Sequence, residues 1–170
     1  MRVEAWTDGA NYAKKKPHYA GCGVVLEIRA DVEGPILKRI EVGKFIGEGT
    51  NNQAEIAGID LALSITELYV PHVTRLRVWT DSGYCKGLFW QHAPRMWRFT
   101  ARKNRTAVQE VRKKILELEQ TAEFVILWCK GHAGNLNNER ADEIAKLCKM
   151  QQRDFEPRIL TEPFQYGIMK

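Results

Sequence analysis

No stretch of the sequence approaches the ~20 consecutive apolar residues that a membrane-spanning helix needs. Cysteine is sparse: Cys22, Cys85, Cys129 and Cys148 lie far apart, with no C-x-x-C pair. That spacing excludes a disulfide framework and a cysteine zinc site, and it predicts a reducing, intracellular setting. The opening residues, Met-Arg-Val-Glu-Ala-Trp, lack the apolar core of a secretory signal. There is no repeat, no low-complexity tract and no linker, so disorder and multidomain organisation are not expected. What remains is a chain of 170 residues, 44% hydrophobic and 28% charged. That is enough for one globular domain with a real core.

The charge is unevenly placed. The whole chain carries +5, with a pI of about 9.1. Between Arg95 and Lys114 stand eight basic residues (Arg95, Arg98, Arg102, Lys103, Arg105, Arg112, Lys113 and Lys114) against one acid, Glu110. Trp90, Trp97 and Phe99 are interleaved near the start of this segment. Cations among aromatic rings suit a nucleic-acid backbone and its sugar faces. A solvated helix face is the plainer alternative. Lys14-Lys15-Lys16, before Pro17, forms a second and smaller basic spot.

Periodicity and turn signals predict strands over 2–8, 22–29 and 36–46, then a helix over 52–68 and a strand over 75–80. One or two short helices are expected in 82–97, a helix over 106–120, a strand over 123–129 and a helix over 138–150 capped by Asn137 or Asn138. Three successive strands suggest an antiparallel meander, and strands separated by helices suggest parallel crossovers. A mixed sheet flanked by helices follows.

Four acidic positions stand out. Two strands end alike, in Trp6-Thr7-Asp8 and Trp79-Thr80-Asp81. Side chains alternate along a strand, so if these strands run parallel and adjacent, both carboxylates emerge on one face. Alone, each is an ordinary turn starter. In the 52–68 helix, Gln53, Asp60, Ser64 and Glu67 form the polar stripe, whereas Glu55 falls on the small apolar face of Gly58, Ile59 and Ala62. A carboxylate there is costly unless something pairs with it. The fourth acid lies in Asn138-Glu139-Arg140-Ala141-Asp142-Glu143, where spacing does not choose among Glu139, Asp142 and Glu143. Carboxylates that converge repel one another unless protonated or bridged by cations, and oxygen ligands favour Mg²⁺ or Mn²⁺ over zinc. Beside a basic flank, such a centre suits phosphoryl chemistry.

These residues resemble type 1 ribonuclease H. The resemblance rests on Thr7-Asp8-Gly9, Thr50-Asn51-Asn52-Gln53-Ala54-Glu55, Thr80-Asp81-Ser82, Lys130-Gly131-His132-Ala133-Gly134 and Asn138-Glu139-Arg140-Ala141-Asp142, in that order. It implies an RNase H-like α/β fold with a mixed five-stranded sheet, three antiparallel strands plus two parallel ones, flanked by helices. The catalytic domain would cover 1–150, with 151–170 as a C-terminal tail, packed or mobile. The implied activity is endonucleolytic hydrolysis of the RNA strand of RNA–DNA hybrids by two metal ions, leaving 5′-phosphate and 3′-hydroxyl ends. The implied cofactor is Mg²⁺, two ions per site, with Mn²⁺ as a substitute.

Residue by residue, the resemblance makes Asp8, Glu55, Asp81 and Asp142 the metal-binding carboxylates and His132 a proton-moving or product-releasing residue. Asn51 and Asn52 would reach the minor groove of the hybrid, and Thr50 and Trp90 would seat the DNA strand. Arg98, Arg102 and Lys103 fall where the family often carries a basic protrusion. The segment from Asp81 to Trp97 looks shorter than in members with a full protrusion, and the loop Asn11 to His18 is longer and more basic than the bacterial form. Asn135 stands where a second histidine is common. No separate hybrid-binding module precedes the first strand, so distributive cutting by a monomer without membrane association is expected. Rival readings are a non-catalytic hybrid-binding module, a related resolvase or polynucleotidyl transferase, and a small-molecule phosphatase.

Overall fold

The computed structural model describes residues 1–14, 16–31, 34–90 and 104–161. Within them the strands are β1 (Arg2–Asn11), β2 (Tyr19–Arg29), β3 (Ile36–Glu48), β4 (Arg75–Thr80), β5 (Glu123–Trp128) and β6 (Phe155–Thr161). The helices are α1 (Asn51–Tyr69), α2 (Gly83–Phe89), α3 (Arg105–Leu118) and α4 (Leu136–Gln151). They build one mixed sheet in the order β5-β4-β1-β2-β3-β6. β1, β2 and β3 form the expected antiparallel meander, and β4 and β5 add in parallel beside β1. No helix among the described residues is long and apolar enough to cross a membrane.

The sheet has six strands where five were expected. β6 pairs antiparallel with β3, so residues 155–161 of the expected tail are part of the sheet. The strand escapes a periodicity reading because it lies at an edge and most of its residues are exposed. Its Pro157, which has no N–H for a ladder, is tolerated at such an edge.

Alternation along the strands divides the core in two. Val3 and Ala5 of β1, with Val24, Leu26 and Ile28 of β2, join the large cluster under α1, α2 and α3. The opposite face carries Trp6 and Val25, packed against Ala141, Ile144 and Cys148 of α4. α1 starts at a reciprocal capping box: Gln53 N–H donates to Thr50 Oγ1 at 3.2 Å, and Thr50 N–H donates to Gln53 Oε1 at 2.8 Å. α4 begins earlier than expected, and its cap is Asn135 rather than Asn137 or Asn138. Asn135 Oδ1 accepts from both of their N–H groups at 3.2 Å. An asparagine reaches the donors two and three residues ahead of itself, so the cap precedes the residues it serves.

α4 sits unusually close to the sheet. A Cβ built on Gly23 of β2 would lie 2.1 Å from the Ala141 carbonyl oxygen, a backbone atom that cannot step aside without moving the helix. Gly23→Ala should therefore destabilise the protein by about 2–3 kcal/mol, the upper part of the overpacking range, lowering the unfolding midpoint by roughly 5–10 °C. Calorimetric unfolding of the variant beside the parent chain checks this.

Candidate active site

The parallel pairing of β1 and β4 sets Trp6 opposite Trp79 and Thr7 opposite Thr80. One step further, where β4 stops and β1 runs on paired with β2 alone, Asp8 and Asp81 come together. Ligand oxygens of Asp8, Glu55 and Asp81 lie within 4.8 Å of one another. Asp8 and Glu55 are buried and Asp81 is half-buried. Such a crevice at the carboxyl ends of parallel strands is the usual location of sites in open α/β sheets.

Each carboxylate is held locally. Gly9 N–H donates to Asp8 Oδ1 at 2.7 Å. Asn51 Nδ2 donates to Glu55 Oε1 at 3.2 Å, whereas Glu55 Oε2 is buried without a hydrogen-bond partner. The turn after Asp81 is fixed by Ser82 N–H donating to Thr80 Oγ1 at 3.1 Å, and Ser82 Oγ caps α2 by accepting from Cys85 N–H. The loop holding His132 presses on Asp81: a Cβ on Gly131 would lie 2.3 Å from Asp81 Oδ2. His132 follows at φ 51°, a left-handed conformation uncommon outside glycine, and its side chain is exposed.

Of the three acids left open on α4, Asp142 is the one whose charge acts on Asp8, raising its pKa, although it stands outside the Asp8–Glu55–Asp81 group. Asp142 also pairs with Lys146 one turn on. Glu139 instead accepts from Gly134 N–H at 3.1 Å, and Glu143 accepts from Arg140 at 2.9 Å.

Burial pushes the Asp8 carboxyl from its ordinary 3.8 up to about 8, and the charges of Asp81 and Asp142 add to the rise. Burial likewise raises Glu55 from 4.5 to about 9, followed by repulsion from Asp8 and Asp81. Without a counter-charge this cluster holds protons at neutral pH. An all-oxygen donor set, strong mutual repulsion and an orphaned Glu55 oxygen are what a hard divalent cation satisfies. The residues present therefore fit such an ion.

The remaining sequence candidates are placed as follows. Thr50, Asn51 and Asn52 are exposed at the start of α1, on the rim of the carboxylate cluster. Trp90 ends α2 and is half-exposed. Arg98, Arg102 and Lys103 lie outside the described residues. Two later cations of the basic run are engaged within the protein: Lys114 Nζ donates to Asp60 Oδ1 at 2.6 Å, and Arg112 Nη2 donates to the Leu88 carbonyl at 3.2 Å.

Three neighbours of the site were not anticipated from sequence. Trp128, half-exposed at the end of β5, donates its Nε1–H to the Asp81 carbonyl at 3.0 Å. The Cys129 thiol donates to Asn138 Oδ1 at 3.4 Å and is pushed up to about 11 by burial, with Asp81 and Asp8 adding to the rise. Lys146 pairs with Asp142, and only this one had a legible signal, the i,i+4 acid–base spacing.

The RNase H family model matches residues 1–149. The chain belongs to the type 1 ribonuclease H family. It is 32% identical over 148 residues to the ribonuclease H of Syntrophotalea carbinolica, covering 85% of this chain and 88% of that one. Its fold is similar to that of RNase H1 from the halophilic archaeon Halobacterium salinarum, with TM-score 0.61, 26% identity, and coverage of 89% of this chain and 99% of that one. It also resembles LC11-RNase H1, solved in complex with an RNA/DNA hybrid: TM-score 0.58, 24% identity, 88% and 98% covered.

Raised carboxyl pKa values have a thermodynamic consequence. Between about pH 4 and 9 the metal-free folded state binds more protons than the unfolded chain, so its stability falls as pH rises through that window. Asp8→Asn removes one buried acid and should raise the unfolding midpoint in EDTA at pH 8 by a few degrees, on the order of 1 kcal/mol. The gain should vanish at pH 4 and shrink in excess Mg²⁺. Thermal unfolding in these conditions checks the sign.

Proposed function

We propose that this protein is a metal-dependent endonuclease that hydrolyses the RNA strand of RNA–DNA hybrids. The observation that carries the reading is the convergence of Asp8, Glu55 and Asp81, with one Glu55 oxygen unpartnered, on a chain of the ribonuclease H family. The hybrid in the LC11-RNase H1 complex supports the substrate class.

Asp8, Glu55 and Asp81, with Asp142 alongside, would hold two Mg²⁺ ions, or Mn²⁺ in their place. Ions bound there supply activation of a water for in-line attack on phosphorus and stabilisation of the leaving 3′ oxygen. The products are a 5′-phosphate and a 3′-hydroxyl: water oxygen joins phosphorus, the P–O3′ bond breaks, and the 3′ oxygen takes a proton. His132 is the group placed to move that proton. Its exposed ring sits on a loop that Gly131 brings against Asp81, and an imidazole can both accept and donate a proton.

Substrate contacts follow from donor inventories. Thr50 Oγ1 accepts within the capping box, so its hydrogen is available to a phosphate of the DNA strand. Asn51 spends one donor on Glu55, which leaves its amide oxygen for the minor groove, and Asn52 offers both functions. The half-exposed Trp90 ring suits a deoxyribose face, and Arg98, Arg102 and Lys103 would neutralise phosphates. Because phosphate contacts position rather than specify, sequence preference should be low. Discrimination of RNA from DNA rests on the 2′-hydroxyl and groove shape.

A panel of end-labelled RNA–DNA hybrid, double-stranded RNA, double-stranded DNA and single-stranded RNA tests the reading. Cuts should be confined to the RNA strand of the hybrid, require Mg²⁺ or Mn²⁺, and disappear in EDTA. Asp8→Asn should lose at least about a hundredfold in rate, since even groups behind metal ligands are worth 10–100-fold, while still binding hybrid. Hybrid binding without cleavage by the parent chain would instead identify a binding module. His132→Ala should lower kcat by roughly ten- to a hundredfold at unchanged KM. An unchanged kcat would remove His132 from the reaction.

A further inference from the structure

We infer that Arg140, clamped between Glu41 and Phe155, is a positioning residue that sets the rotation of α4 and hence the placement of Asp142. The sixth strand is thereby part of the catalytic unit. The inference rests on the reading of Asp142 as a metal-site carboxylate.

Between α4 and the sheet lies an alternating chain of charges. Arg29 Nη2 donates to Glu27 Oε2 at 3.2 Å, and Arg39 Nη1 donates to Glu27 Oε1 at 3.2 Å. Arg39 Nε donates to Glu41 Oε1 at 3.1 Å. Arg140 sends both Nε and Nη2 to Glu41 Oε2 at 3.0 Å, and Nη1 to Glu143 Oε2 at 2.9 Å. Asn137 joins by accepting from Arg39 at 2.5 Å and donating to Glu27 at 2.9 Å. Glu27, Arg39 and Glu41 are each at most 7% exposed. Three carboxylates and three guanidinium groups balance in charge.

The outer wall of this network comes from the C-terminal strand. The Arg140 guanidinium lies 5.8 Å from the centre of the Phe155 ring, at the first residue of β6. Phe155 stands opposite Gly43, across an irregularity in the β3–β6 ladder between Glu41 and Gly43. Just before it, Asp154 Oδ1 accepts from Phe45 N–H at 2.8 Å. β6 thus lays Phe155 over the Arg140 guanidinium and against Ala141, Ile144 and Cys148 of α4, although it lies beyond the 1–149 span that the family model matches.

The geometry links this clamp to the site. Arg140 and Asp142 are two residues apart, roughly 200° around the helix. One faces the β3–β6 edge and the other faces Asp8. Turning a helix by ~10° moves a side-chain head ~6 Å from its axis by ~1 Å. A misplacement of that size can cost about a hundredfold in rate. Buried ion pairs contribute little net stability compared with apolar packing, so the return on this network is orientation. The Nε and Nη2 donors that share one Glu41 oxygen define an angle that a single ammonium group does not reproduce.

The test uses full-length Arg140→Lys and Phe155→Leu, with Glu143→Gln as the control at the exposed end of the network. Three quantities are read: kcat and KM on an RNA–DNA hybrid, Mn²⁺ affinity of metal-free protein by titration calorimetry, and the unfolding midpoint. Arg140→Lys should lower kcat about tenfold or more at unchanged KM and weaken Mn²⁺ binding severalfold, with the midpoint within a few degrees of the parent. Phe155→Leu should move both quantities the same way by less, and Glu143→Gln should move neither. Unchanged kcat and Mn²⁺ affinity in Arg140→Lys or, should that variant not fold, in Phe155→Leu would overturn the inference, whatever the midpoint does. If the parent chain itself fails to cut hybrid, the functional reading falls, and the Mn²⁺ isotherms still decide the positioning role.

Discussion

The organising constraint in this protein is the repulsion among carboxylates brought together where the β1–β4 pairing ends. Asp8 and Glu55 sit in a low-dielectric crevice, with Asp81 and Asp142 adding like charge. Few arrangements are less favourable in a folded chain without a compensating cation. The surrounding structure is what makes the arrangement persist. Two parallel strands in matched register deliver Asp8 and Asp81, a capped helix delivers Glu55, and a helix packed directly on glycine delivers Asp142.

The two faces of the sheet divide this labour. Under α1 to α3 lies the larger apolar cluster, an ordinary core that holds the strands in register. Under α4 the apolar contact is small, and ion pairs fill much of the remaining interface. Apolar packing is non-directional and tolerates small rotations, whereas a multiply bonded guanidinium does not. It is therefore coherent that the helix whose angle matters for Asp142 is held by the directional kind of contact.

Motif residues at the site also serve the fold. Thr50 closes the cap of α1, Asn51 bonds Glu55, and Gly131 lets a loop approach Asp81. Each is a structural part whose spare hydrogen-bonding capacity or position faces the crevice. The basic run behaves the same way in part, since Lys114 and Arg112 are bonded within the protein while Lys113 is exposed.

Much of this was legible in the residue order. Strand alternation in Trp6-Thr7-Asp8 and Trp79-Thr80-Asp81 anticipated a shared face, and helical phase marked Glu55 as an acid on a packing surface. Both readings depend only on local periodicity, which the backbone imposes within a few residues. The family's ordered motifs pointed to Asp142, which spacing alone did not separate from Glu139 and Glu143. Three things needed the assembled chain. β6 has no periodic signature because five of its seven residues are exposed, so no buried face alternates along it. The cap of α4 falls on Asn135, while the Asn137 side chain joins the buried ion network. The partnership of Glu27, Arg39, Glu41 and Arg140 joins residues up to 113 positions apart, and no local pattern encodes which distant charge will answer a buried one. The sequence by itself determined the elements that carry a local period and the acids on them. Tertiary structure alone decided which of those acids repel one another and which are neutralised, because Coulomb energy depends on distance and burial that only packing sets.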